Sequence, residues 1–154
     1  MKDDISVMIN DVLLNCRVCA IIKYKDKYLM HKNINDDFWI CVGGRIKTLE
    51  NSKDALIREC KEELGVDLKN IKFITLIENF FTYDNRKFHE YNFVYYGEAD
   101  FENDNEFTGL DNDMIYKFFT LEELNKLNIK PEVFKGKFDR LQEIDAITSE
   151  SQDL

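Results

Sequence analysis

The sequence predicts an α/β (α+β) fold: a mixed β-sheet with helices packed on it. Three observations predict it. Short apolar runs of strand character lie on both sides of one well-punctuated amphipathic helix. Turn residues separate these runs at short intervals. The composition is that of a packed chain, with 44% hydrophobic and 13% aromatic residues but only Gly 6 and Pro 1 among 154. That balance excludes disordered, collagen-like and linker-like chains. The length suits one domain over residues 1–154, with a tail expected to fray over about 148–154.

Each element has its own local reason. The first clear strand is Arg17 to Lys23, centred on Val18, Ala20 and Ile22. Lys25-Asp26-Lys27 reads as a tight turn, and Tyr28 to His31 returns as the second arm of a hairpin. The polar loop Asn33 to Asp37 leads to Phe38-Trp39-Ile40-Cys41-Val42, then Gly43-Gly44. Ser52 is expected to cap a helix, with Asp54 in its first turn, where the helix dipole favours an anion. That helix should run to about Leu64 and end at Gly65. Ile71 to Phe81 and His89 to Tyr96 are long strands joined by a turn at Asp84, Asn85 and Arg86. An acidic loop follows over Glu98 to Asp113, then a strand over Ile115 to Phe119. Thr120 caps a short helix, with Glu123 in the capping-box position. Pro131 is expected to open a last helix, because Val133, Phe134, Phe138, Leu141, Ile144 and Ile147 recur at helical spacing.

Charge narrows the function. Asp and Glu number 30 against 21 Lys and Arg, a formal net charge of -9. Such a chain is a poor partner for duplex nucleic acid or an anionic membrane. No basic leader and no apolar run of membrane-spanning length occurs, so a cytoplasmic location is expected. The cysteines are Cys16, Cys19, Cys41 and Cys60. The lone Cys16-x-x-Cys19 lacks the second pair that structural zinc needs, so reduced, packing thiols are expected.

One segment carries chemistry. From Gly44 to Val66 the chain reads GRIKTLENSKDALIRECKEELGV. Glu59, Glu62 and Glu63 stand at i, i+3 and i+4, on one helix face. Leu56, Ile57, Cys60 and Leu64 take a neighbouring face and would pack on the sheet. Stacked carboxylates repel, and Arg58 alone leaves them net negative. A hard divalent cation with oxygen ligands balances such a cluster; a solvated helix face is the simpler alternative.

The wider spacing resembles the Nudix box, G-x5-E-x7-R-E-U-x-E-E-x-G-U, with U an aliphatic residue. Cys60 stands at a U position, where a small apolar thiol can still pack. Val42, rather than the frequent proline, precedes Gly43-Gly44. The flanking hairpin, Phe38-Trp39 and the late Phe119 to Leu124 also resemble the family's layout. The resemblance implies a Nudix-type α/β/α sandwich and hydrolysis of a nucleoside diphosphate linked to another moiety. It implies Mg2+, with Mn2+ as an alternative, held by Glu59, Glu62, Glu63 and the carbonyl of Gly43. Arg58 and Glu50 would pair and hold the box loop against the helix. The family uses no fixed general base; here Glu98, Asp100, Glu102, Asp104, Glu106, Asp111 and Asp113 are the later-loop candidates.

The resemblance points to a small nucleotide-type substrate, with nucleoside triphosphates and dinucleoside polyphosphates first. A homodimer is compatible with the Phe-rich strands. The rival reading is a noncatalytic nucleotide-sensing module on the same fold. Among other residues, His31 and His89 are expected in structural roles, and Glu90 is a minor candidate for substrate or metal contact. Phe80, Phe81, Tyr83, Phe88 and Tyr91 are expected to pack, or else to offer a face for a nucleobase. Lys32 and Arg86 are candidate phosphate contacts.

Overall fold

Strand β2 organises the sheet. The computed structural model describes residues 2–110, 113–144 and 147–149. Its strands are β1 (Ser6–Ile9), β2 (Val12–Tyr24), β3 (Lys27–Asn33), β4 (Ile40–Arg45), β5 (Lys69–Tyr83), β6 (Arg86–Glu98), β7 (Phe107–Thr108), β8 (Met114–Phe119) and β9 (Ile147–Ser149). The helices are α1 (Ser52–Leu64) and α2 (Leu121–Leu124). The sheet order is β7-β8-β3-β4-β2-β6-β5-β9, with β1 folded back onto β2. β2 runs parallel to β6 from Val12 opposite Lys87 to Lys23 opposite Glu98. It is antiparallel to β1, β3 and β4, so the sheet is mixed.

Period-two alternation divides β2 between two cores. Val18, Ala20, Ile22 and Tyr24 face α1 and pack with Ala55, Leu56 and Cys60. Cys19 and Ile21 face the other way and pack with Leu124, Phe134, Phe138 and Ile144. Helix on one face and α2 with the C-terminal segment on the other give the expected layering. The same alternation puts Cys16 with the α1 side and Cys19 with the opposite side, so these two thiols do not converge. All four cysteines are free. No helix among the described residues is long and apolar enough to cross a membrane.

Local structure departs from expectation in three places. The cap of α1 is Asn51, whose side chain accepts from the Asp54 N–H at 2.8 Å. Ser52 is instead the first helical residue, and its hydroxyl bonds the Tyr95 hydroxyl at 2.7 Å. The first strand starts earlier than Arg17, because β1 gives Val12 to Asn15 a partner.

The third departure is larger: among the described residues, no α-helix follows Pro131. Two short 3-10 turns, Glu132–Phe134 and Leu141–Glu143, replace it. Gly136 takes φ 75, a left-handed conformation that a helix interior excludes. Phe134, Phe138 and Ile144 nevertheless bury themselves against the sheet. Their spacing serves packing without helix. Of the expected tail, Thr148 and Ser149 pair with Asn79 and Phe80 in parallel, and 150–154 lie outside the described residues.

Candidate active site

Arg58 is the hub of the box. Its Nε and Nη2 donate to Glu50 at 2.8 and 2.9 Å, a two-toothed clamp. Its Nη1 donates to Glu59 at 3.0 Å and to Glu62 at 3.2 Å. Nη2 also donates to the carbonyl of Arg45 at 3.0 Å, which ties α1 to the end of β4. Glu50 accepts in addition from the Lys47 N–H at 3.0 Å, closing the loop between β4 and α1. The Arg58 hydrogen bonds hold the Glu50 carboxyl down at about 2, below its ordinary value of 4.5. They push the Arg58 guanidinium in the opposite direction.

The two glycines play different parts. A Cβ on Gly44 would lie 2.3 Å from the Glu59 carboxyl carbon and 2.5 Å from each of its oxygens. The Glu59 carboxylate therefore rests directly on the Gly44 backbone. A Cβ on Gly43 would lie 1.9 Å from the Val18 carbonyl oxygen, so there the glycine serves the approach of β4 to β2. Glu63 accepts from the Tyr116 hydroxyl at 3.2 Å. Gly65, at φ 68, ends the helix one residue past Leu64. Cys60 is fully buried beneath the acids; burial first, then the charges of Glu63 and Glu59, push its thiol up to about 12. It is a neutral packing group.

Among the described residues, no three His, Cys, Asp or Glu side chains stand together as a ready-made metal cage. Arg58 draws Glu59 and Glu62 to itself instead. The donor set still fits a hard divalent cation such as Mg2+. That ion takes one or two protein carboxylates and completes its shell with water and phosphate oxygens.

A cleft of about 610 Å³ opens on the sheet face opposite α1. Arg45 lines it, and the same residue's carbonyl holds Arg58, so the cleft and the acidic helix meet at the end of β4. Strand register predicts its floor. Asn79, Glu90 and Asn15 lie side by side on β5, β6 and β2. Asn92, Arg17 and Arg45 form the next row on β6, β2 and β4. Phe81 and Phe88 make the row on the other side, stacked at 4.7 Å. The charged lining residues are Arg17, Lys32, Arg45 and Lys130 against Asp36 and Glu90. The chain's net charge is -9, yet the cleft is cationic, as a phosphate site requires.

The other expected residues disperse. Phe81, Tyr83 and Phe88 line the cleft. Phe80 packs on His89 at 4.7 Å, and His89 on Tyr91 at 5.3 Å, away from it. His31 is buried beside Tyr116. Of the later-loop acids, Glu98 accepts from Tyr96 at 2.8 Å, Asp100 pairs with Lys69, and Asp104 pairs with Lys27 at 2.7 Å. None of the described ones lines the cleft, and Asp111 lies outside the described residues. Sequence reasoning missed Asn15, Arg17, Asn79 and Asn92. The available signal was polar residues at alternate strand positions, Asn15-x-Arg17 and Glu90-x-Asn92.

A family model described as the NUDIX domain matches residues 15–140. No curated protein sequence matches the chain. Solved structures resemble it in fold. The mutator MutT protein from Bacillus halodurans superposes with a TM-score of 0.58 at 16% identity, over 88% of this chain and 86% of its own. A Nudix-family hydrolase from Clostridium perfringens gives 0.58 at 21% identity, over 85% and 98%. A Nudix hydrolase from Nitrosomonas europaea gives 0.59 at 13% identity, over 90% and 79%.

Proposed function

The chain belongs to the Nudix family of pyrophosphohydrolases, and from that premise we propose that it cleaves the diphosphate linkage of a small nucleotide-type substrate with the help of Mg2+ or Mn2+. One observation carries the reading. Arg58 gathers Glu50, Glu59, Glu62 and the Arg45 carbonyl at one end of a cationic cleft. Glu59, Glu62, Glu63 and the Gly43 carbonyl are the groups that would hold the metal. A divalent cation held there would supply the positive charge that offsets the repulsion between these carboxylates and the substrate phosphates.

The chain's own residues supply the rest. Arg17, Lys32, Arg45 and Lys130 draw the phosphates into the cleft. The Glu50–Arg58 clamp keeps the box loop against α1, so the helix that carries the glutamates is fixed beside the loop as substrate enters. A carboxylate of the box is the acceptor that orients the attacking water. The acidic exterior supports a small substrate over nucleic acid, and the four free thiols support a reducing, cytoplasmic setting.

The test is a panel of nucleoside diphosphate derivatives incubated with Mg2+, the products separated and identified. Phosphate-bearing products from at least one substrate are expected. Glu62→Gln and Glu63→Gln should each keep the fold, read by circular dichroism, and lose on the order of 10³-fold in rate, as the loss of several kcal/mol of charge stabilisation implies. Full activity in either variant would remove the glutamates from the metal site. Nucleotide binding with no product would replace the enzyme by the sensing module.

A further inference from the structure

The acids of the box are anchored differently. Arg58 holds Glu59 and Glu62, and the Glu59 carboxylate also rests on the Gly44 backbone. Glu63 sits in the last turn of α1, beside the final helical residue Leu64. There the helix dipole disfavours a carboxylate. A long side chain also has rotamer freedom to lose before it can bind an ion. A donor from outside the helix answers both problems.

Strand β8 brings that donor. Its alternate residues Met114, Tyr116 and Phe118 face the α1 side of the sheet. The Tyr116 hydroxyl donates to Glu63 Oε2 at 3.2 Å. The ring that carries it is 1% exposed and tightly seated. Its cross-strand neighbours are His31 on β3 and Phe107 on β7. Phe107 stacks on it at 5.1 Å, with 4° between the planes. A Cβ on Gly109 would lie 2.3 Å from the ring, so that glycine leaves the ring its place. The same hairpin also grips the Glu63 main chain, because the Leu110 N–H donates to the Glu63 carbonyl at 3.4 Å. Backbone and carboxylate of Glu63 are thus both tied to β7 and β8. The type of donor matters. A guanidinium would cancel the charge that draws a cation, whereas a phenol is neutral. One hydroxyl takes one of about four lone-pair positions on a carboxylate and leaves the others for an ion.

We propose that Tyr116 is a positioning residue: its neutral hydroxyl, seated by β7 and β8, orders the Glu63 carboxylate to hold a divalent cation. This rests on the assignment of Glu63 to the metal site in the hydrolase reading above.

The test measures Mn2+ binding to the metal-free protein, read from the electron paramagnetic resonance of the free ion. Wild type, Tyr116→Phe, Glu63→Gln and the double variant are compared, with circular dichroism to check the fold. Tyr116→Phe keeps the ring and removes only the hydroxyl. It should weaken Mn2+ binding by about 10-fold or more. The Mg2+ concentration for half-maximal hydrolysis should rise by a similar factor, and the lost rate should return as Mg2+ is raised. A residue that serves only the fold would instead lower the rate at every Mg2+ concentration. Added to Glu63→Gln, the same change should weaken Mn2+ binding little further, because the carboxylate it orders is gone. Unchanged Mn2+ affinity in Tyr116→Phe overturns the proposal, and so do equal losses in the two backgrounds. Either result, with product formed by the wild type, leaves the hydrolase reading intact. Weakened Mn2+ binding in Tyr116→Phe, in a chain that hydrolyses nothing, upholds the role of Tyr116 and overturns the hydrolase reading. No Mn2+ binding by the wild type overturns both.

Discussion

Gly43 and Gly44 are adjacent and differ in what a methyl group would strike. At Gly43 the obstacle is backbone, the Val18 carbonyl, in a pairing that aligns β4 with β2. Gly43→Ala should therefore cost stability, about 1–3 kcal/mol, by forcing the strands apart. At Gly44 the obstacle is the Glu59 carboxylate, whose side chain can swing. Gly44→Ala should lower kcat/KM by 10-fold or more and leave the denaturation midpoint nearly unmoved. Urea denaturation and steady-state kinetics on both variants check the contrast; equal effects on both measurements would reject it. The glutamates were legible in sequence because helix spacing alone aligns them. Asn15, Asn79 and Asn92 were not, because their meeting depends on the register of three strands far apart in the chain.

Elements were legible where short-range chemistry decides them. The box helix ends at Gly65, and the Thr120 capping box forms as spaced. The turn at Asp84 and Asn85 has φ 51 and 60, the conformation its residue types favour. The C-terminal segment was misread because apolar spacing records which side chains are buried, not how the backbone delivers them. Gly136 breaks the helix, yet Phe134 is 1% exposed. It packs with Leu124, Ile129 and Phe138 on the sheet face beside the cleft. Phe134→Ala should thus cost about 3–5 kcal/mol. It should also loosen the cleft wall and raise KM more than it lowers kcat. Calorimetry and kinetics test this; a loss below 1 kcal/mol would mean the segment is not part of the core.

At the scale of the molecule, two groups make the fold sensitive to acid, in separable pH windows. His31 is 3% exposed, and burial, aided by the Arg17 charge, lowers its pKa from 6.5 to about 3. The unfolded chain then binds the proton more readily than the folded one. Stability present above the unfolded pKa is lost as pH falls from 6.5 toward 3, with a slope of at most ~1.4 kcal/mol per pH unit. Glu50, held down to about 2 by Arg58, has the same sign over a lower window, from 4.5 toward 2. Denaturation midpoints should hold from pH 8 to 7 and fall below 6.5. His31→Leu should flatten the decline between pH 6 and 5, where Glu50 contributes little. Glu50→Gln should leave that upper part in place, because its own window has barely opened there. A wild-type curve flat down to pH 5 would show that the imidazole is not kept neutral by the fold. A decline unchanged in His31→Leu would show that the buried imidazole is not its source.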